Sequence, residues 1–365
     1  MKLDQLTFTR YIAALSVVFF HYGDKVFPAS IPLLHPVITA GSIAVSYFYV
    51  LSGFIMAVAY YKTSTEPQNF NSKRYWLARF ARIYPVYLIA LLLMVAAKLH
   101  GAGSDPMTVL LSVGMLQAWI PSYPLSLNAP GWSLSVEVFF YLVFPALIFL
   151  CKRQQLKFIA IMSIIFWVAT QVLHTELLNN ANYVLFNTLH DLIYYNPIMH
   201  LNTFVMGFVV GVALREGKLQ CWRDSKLNLF GLAFSGALIF GLLVARQPFM
   251  DYTGIRLDYT NGLIAPLFIT VIALLSLNTT RLSLWLQHKW LILLGEASFS
   301  LYILQKPLHG IYEKLLAQHL DTESNLYFYV FALSLTGISI LSFYWVETPA
   351  RRFINSFGSS SDKSG

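Results

Sequence analysis

MTVLLSVGMLQAWIPSYPLSLNAP, residues 107–130, decides how the chain is threaded. Its first part, Met107–Ile120, is apolar enough to enter a bilayer. It is too short to cross one, because a spanning helix needs roughly 20 mostly apolar residues. Pro121, Pro124 and Pro130 follow at once and stop the run from continuing as a regular helix. If this run crosses, every later loop changes side. If it lies in the interface or turns back, the loops keep the sides set by the first three runs.

The remainder of the sequence supplies the test. Of 365 residues, 57% are hydrophobic and only 12% charged, against about 45–50% and about 25% in soluble domains. Mean hydropathy is +0.59, and 16% of residues are aromatic, which suits lipid-facing and interfacial surface. Besides Met107–Ile120, apolar runs fall at about 7–24, 37–61, 83–99, 132–150, 157–174, 197–214, 227–245, 259–277, 290–308 and 325–346. With the N-terminus inside and Met107–Ile120 not crossing, 19 of the 25 Lys and Arg lie on the inside. The outside keeps Lys25, Lys98, Arg246, Arg256, Lys306 and Lys314. Letting the run cross destroys this bias, and positive charge collects on the cytoplasmic side. The expectation is an all-α, polytopic transmembrane bundle of about ten spans and one short non-spanning helix, with both termini cytoplasmic.

Residues 1–353 read as a single transmembrane domain. Residues 354–365 read as a short Ser/Gly-rich tail, expected to be disordered in the cytoplasm. The net charge of +8 sits in short loops, where it encodes orientation rather than nucleic-acid binding. Cys151 and Cys221 make neither a disulfide framework nor a zinc pattern. No small-residue cleavage pattern follows His21, so the first apolar run reads as retained.

Ionisable residues inside spans are costly and point to function. Arg10 and His21 stand eleven residues apart in the first run. On an α-helix that is three turns plus about 20°, so they share a face roughly 16 Å apart. The plainer reading makes Arg10 a snorkelling anchor and His21 a packing histidine. Arg79 and Arg82, at i and i+3, share a face at the cytoplasmic surface. Two guanidiniums there suit phosphates, and they also serve as positive-inside signal. Glu137, in Gly131-Trp132-Ser133-Leu134-Ser135-Val136-Glu137, is the one charge in its run before Lys152 and needs a partner. His21 is the natural candidate, and a structural carboxylate tying helices together is the alternative. The hydroxyls of Ser298-Phe299-Ser300-Leu301-Tyr302 read as interhelical glue. No Walker loop, HExxH, CxxC or Gly-x-Ser-x-Gly is present, which removes the usual support for ATP-driven transport, zinc hydrolysis and serine hydrolysis.

Taken in order, these pieces resemble the acyltransferase 3 family of bacterial membrane O-acyltransferases. The resemblance rests on Arg10-x10-His21, Ser52-Gly53-Phe54, Arg79-x-x-Arg82 followed by Tyr84-Pro85, Gly131 to Glu137, Ser298 to Tyr302, and Glu347-Thr348-Pro349-Ala350-Arg351-Arg352-Phe353. It covers residues 10–353. It implies transfer of an acyl group, usually acetyl, from acetyl-CoA to a hydroxyl of exopolysaccharide, lipopolysaccharide O-antigen or a similar cell-envelope glycan, free or lipid-linked, with no metal. It places the chain in the bacterial inner membrane, among lipids and next to polysaccharide-assembly machinery. Many relatives carry His where this sequence has Gln305, so the role of that His does not transfer.

Acyl transfer to an alcohol needs a base, an offset for the oxyanion, and placement of both substrates. His21 is the expected base, since imidazole titrates near neutral pH, and Glu137 its orienting partner or itself the base. Arg10, Arg79 and Arg82 are expected to hold CoA phosphates. Trp132, Ser133 and Tyr302 are expected to meet the acceptor. The rival reading is a proton-coupled transporter, which ten spans with a buried His and Glu also suit. Against it, the charged motifs crowd into residues 10–137 and have no counterpart in the second half.

Overall fold

The computed structural model describes residues 3–63, 70–99, 103, 105–223 and 225–359, and these contain no β-strand. In chain order the helices are α1 (Thr7–Tyr22), α2 (His35–Ile38), α3 (Ala44–Tyr60), α4 (Ser72–Leu99), α5 (Pro106–Val113), α6 (Trp132–Arg153), α7 (Leu156–Leu178) and α8 (Thr188–Tyr194). They continue as α9 (Pro197–Arg215), α10 (Ser225–Thr253), α11 (Ala265–Leu277), α12 (Arg281–Leu286), α13 (Lys289–Leu316), α14 (Asn325–Ser342) and α15 (Thr348–Ser359). Two π-helical segments, Tyr259–Leu263 and Phe343–Glu347, lead into α11 and α15. Start signals are local: Asp105 caps α5 and Asn196 caps α9, each with proline in the first turn, where a missing N–H costs nothing.

Among the described residues, seven stretches are long and apolar enough to cross a membrane: Gly41–Tyr60, Ser72–Leu99, Ala129–Cys151, Leu156–Leu178, Thr188–Arg215, Lys226–Thr253 and Asn325–Gly358. The other three expected spans are helical but differ. α1 has 16 residues and α11 has 13, so they reach only about 24 and 20 Å at about 1.5 Å per residue. α13 has 28 residues but carries Lys289, Glu296, Lys306, Glu313 and Lys314. The run Met107–Ile120 yields the eight-residue α5 and a short 3-10 turn, Gln117–Trp119. α5 is about 12 Å long, far short of the roughly 30 Å hydrocarbon core.

α3 and α9 form the centre, with most of their side chains buried. α7 and α10 are peripheral and expose rows of apolar residues such as Phe158, Ile161, Ile165, Phe230 and Phe234. In a soluble protein such a surface would aggregate; around a bundle it faces lipid. α3 and α9 touch backbone to backbone. A Cβ on Gly53 would lie 2.1 Å from the Phe204 carbonyl oxygen, and one on Gly207 2.0 Å from that of Val50. Small residues permit this approach, and close packing drives helix association where no water remains to be expelled.

The chain end corrects one expectation. α15 continues to Ser359, so residues 354–359, expected to be disordered, are helical. α15 is amphipathic and packs on α4, with Gly358 against Leu77. Residues 360–365 lie outside the described residues.

Gly207→Leu is expected to exceed the roughly 1–3 kcal/mol typical of an overpacked core, because the clash is with backbone. Size-exclusion chromatography in detergent should show loss of the monodisperse peak. Gly236→Leu, whose added atom meets nothing within 4 Å, should leave the peak intact.

Candidate active site

A cavity of about 430 Å³ opens among α1, α3, α4, α6, α13 and α15. Arg10, Arg79, Arg82 and Arg351 line it, facing Glu137 and Glu296. Ser133 and Tyr302 also line it. Four guanidiniums against two carboxylates give the cavity a positive field, strengthened by the surrounding apolar bundle.

The two arginines of α4 are held differently. Arg82 Nη1 lies 3.7 Å from Glu347 and 3.9 Å from Glu296. Glu347 is only 2% exposed and accepts a 2.6 Å hydrogen bond from Ser300 Oγ. Ser300 also bonds Ser342 of α14. Arg351 approaches Glu296 to 3.8 Å. Arg79 instead lies over the rings of Tyr60 and Tyr141, at 5.7 and 5.6 Å, an attraction of cation to ring quadrupole. Its buried Nε has no hydrogen-bond partner. Among the described residues no carboxylate comes within 4 Å of Arg79 or Arg10. Arg79 Nη2 donates to Tyr60 OH at 3.5 Å, so Arg79 and Arg10 are the lining guanidiniums whose charge meets no protein carboxylate.

Glu137 sits in the second turn of α6. Tyr141 OH donates to its Oε1 at 2.5 Å and Ser52 Oγ at 3.4 Å. Beside it, Tyr302 OH donates to Ser133 Oγ at 2.8 Å, and Ser133 Oγ donates to the Pro130 carbonyl oxygen at 2.8 Å. The start of α6 is pinned by Gln117 Nε2 to the Gly131 carbonyl oxygen and by Asn128 Nδ2 to that of Ile303. The cavity therefore has a cationic part and a carboxylate–hydroxyl part, suited to an extended ligand with phosphates at one end and a reactive carbonyl at the other.

Six of the eight residues singled out in the sequence meet here: Arg10, Arg79, Arg82, Ser133, Glu137 and Tyr302. Two do not. His21 is exposed in the last turn of α1, beside the ring of Tyr22, and does not line the cavity. The expected His21–Glu137 pair is therefore corrected: Glu137 is engaged by Tyr141 and Ser52. Trp132 lies behind the cavity wall, packed on Tyr195 and His200. The arginines of α4 are also deeper than a surface position, half-buried among aromatic rings. Ser300 does bond between helices, as read from the sequence, whereas Ser298 bonds back to Gly295 in its own helix. Sequence reasoning missed Glu296, Glu347, Arg351 and Tyr141. Glu347 and Arg351 sit in the closing stretch that was quoted without a role, and Tyr141 follows Glu137 by one helical turn.

A family profile described as an acyltransferase domain matches residues 3–345. Acyltransferase MdmB of Streptomyces mycarofaciens is 28% identical over 326 residues, covering 83% of this chain and 78% of its own. Exopolysaccharide production protein ExoZ of Rhizobium meliloti (strain 1021) is 28% identical over 324 residues, covering 86% and 90%. No solved structure matches the chain. Fold and likenesses together define the class: an acyl-transferring enzyme built as a multi-pass membrane helical bundle. Within that class the chain belongs to the acyltransferase 3 family. This decides between enzyme and transporter in favour of the enzyme.

Glu347→Ala leaves Arg82 short of its most buried countercharge. Breaking a buried pair from one side costs about 3–5 kcal/mol. Scanning fluorimetry in detergent should show a clear drop in Tm, with a smaller drop for Glu347→Gln.

Proposed function

We propose that the chain transfers an acyl group, acetyl in the first instance, from cytoplasmic acyl-CoA to a hydroxyl of a surface polysaccharide or its lipid-linked precursor. The observation that carries this reading is the cavity that joins Arg79, with its unpartnered Nε, to Glu137. Arg79, Arg10 and Arg82 hold the CoA phosphates. Arg79 accepts most of that load, because Arg82 already faces two carboxylates. The pantetheine arm then extends toward Glu137, Ser133 and Tyr302. The name of the exopolysaccharide-production relative favours a glycan acceptor.

In the reaction a base removes the acceptor proton and the oxygen attacks the thioester carbonyl. The tetrahedral oxyanion is met by the Tyr302 hydroxyl, which turns its proton from Ser133 Oγ toward it, while Ser133 stays bonded to the Pro130 carbonyl oxygen. The C–S bond breaks and the CoA sulfur leaves as thiolate. Glu137 is the base that the cavity geometry favours. His21 serves the acceptor side of the site.

Ten spans complete the reading, α1, α11 and α13 joining the seven long apolar stretches. Both termini are cytoplasmic, and the membrane is the bacterial inner membrane. The charge count supports this orientation, and four of the arginines counted inside share the one cavity.

Arg79→Ala is expected to raise KM for acetyl-CoA by about 10- to 100-fold, the loss of a charged hydrogen bond worth about 1.5–3 kcal/mol. Glu137→Gln should lower kcat by about 10²- to 10⁴-fold, the range of general-base catalysis. The assay is CoA release by purified protein with glycan acceptor. Unchanged kinetics in both variants would remove the proposed site, and full transfer by His21→Ala would remove His21 from the mechanism.

A further inference from the structure

The first cavity accounts for the donor and leaves the acceptor without a binding site. A second cavity, of about 600 Å³, lies among α7, α8, α10 and the π segment before α11. It is at the other end of the bundle. α11 begins beside it and ends where Ser276 accepts a hydrogen bond from Gln5, just before α1 and Arg10. Its lining includes Tyr183, Tyr194, Tyr259, Arg246, Arg256 and Asp258.

We propose that this second cavity is the acceptor subsite, and that it takes a glycosyl unit bearing a phosphate or a carboxylate. The inference rests on the acyl-transfer reading above.

Three observations carry it. First, the cavity lining holds a buried carboxylate with an unbonded oxygen. Asp258 is 3% exposed; its Oδ1 accepts from the amides of Thr260 and Asn261, while Oδ2 has no hydrogen bond. His174 is fully buried with both ring nitrogens unpartnered, its Nδ1 3.7 Å from that Oδ2. Asn202 Oδ1, Asn261 Oδ1 and His200 Nδ1 are also unpartnered. Of these residues Asp258 lines the cavity, and His174, Asn202, Asn261 and His200 do not; buried polar atoms are rarely left unbonded, so Asp258 is the group that a polar ligand or water there would meet. A sugar hydroxyl can donate to this carboxylate and still accept from a second group.

Second, the walls pair tyrosine rings with guanidiniums. The rings offer flat apolar faces with polar tips, matching a sugar ring. Arg256 sits 5.7 Å over Tyr183, and Arg246 is steadied by Thr39 Oγ1 at 2.9 Å. Among the described residues neither arginine is within 4 Å of a carboxylate. Two such cations beside tyrosine rings and the Asp258 carboxylate select an anionic sugar over a neutral one.

Third, the two cavities share a wall. His200 Nε2–H donates to the Tyr194 carbonyl oxygen at 2.9 Å. Its ring is 5.2 Å from that of Tyr49 and 5.4 Å from that of Trp132. Tyr194 lines the second cavity and Tyr49 the first. Trp132, which lines neither, belongs to this partition.

The test is saturation-transfer NMR on full-length protein in lipid nanodiscs without acyl donor. The probes are glucose 1-phosphate, glucuronate, glucose and inorganic phosphate. At least one acidic sugar should bind about tenfold more tightly than glucose and than inorganic phosphate, and which one binds identifies the anionic group. Arg256→Gln should remove that preference, and Asp258→Asn should weaken every sugar about tenfold. Asp258 also caps the π segment, so if that variant fails to fold the rim variant Arg256→Gln decides alone. Retained acetyl-CoA binding reports that each variant is intact. Glu137→Gln should leave sugar binding unchanged, which separates failure of this site from failure of the catalytic reading. No saturable sugar binding, inorganic phosphate binding as tightly as the sugars, or an unchanged preference in Arg256→Gln overturns the proposal.

Discussion

Arg82 lies inside an apolar helical bundle with Glu347 at 3.7 Å and Glu296 at 3.9 Å. A guanidinium taken out of water loses several kcal/mol of solvation unless countercharge and hydrogen bonds replace it. Meeting that constraint brings together parts of the chain far apart in sequence: α4, α13, and the π segment that turns Glu347 inward before α15. π segments are rare, mostly single turns, and recur at functional sites. The same cluster fixes Arg351 beside Glu296. The cavity wall is thus held by charge pairing rather than by apolar packing alone.

Once Arg82 is satisfied, the arginines divide the work. Arg82 is committed to protein carboxylates, while Arg79 is steadied by the rings of Tyr60 and Tyr141 and a 3.5 Å hydrogen bond to Tyr60 OH, with no carboxylate against it. A guanidinium paired in advance binds an incoming phosphate weakly, since the new anion competes with a resident one. One steadied by aromatic rings keeps its charge available. An Arg-x-x-Arg pair therefore need not be two equivalent anchors, although the two residues occupy one helix face.

The bundle's interior is organised by what cannot be exchanged. Gly53 and Gly207 let α3 and α9 meet at backbone distance, and this central pair carries the residues that stand between the two cavities. Tyr49 comes from α3 and His200 from α9. Their rings, with Trp132, stand between the two cavities.

The sequence by itself determined the helical, membrane-spanning character, because hydrocarbon admits few charges and demands long apolar runs. It set Met107–Ile120 aside, because length and proline deny it a crossing. It picked out Arg10, Arg79, Arg82, Ser133, Glu137 and Tyr302, because ionisable residues in spans are costly and their family pattern is specific. Tertiary structure alone decided who partners whom. Glu137 meets Tyr141 and Ser52 rather than His21, and Arg82 meets Glu296 and Glu347, more than two hundred residues away. Periodicity along one helix says which residues share its face; it carries no information about which face of which other helix lies opposite, and that pairing is where the chemistry is set.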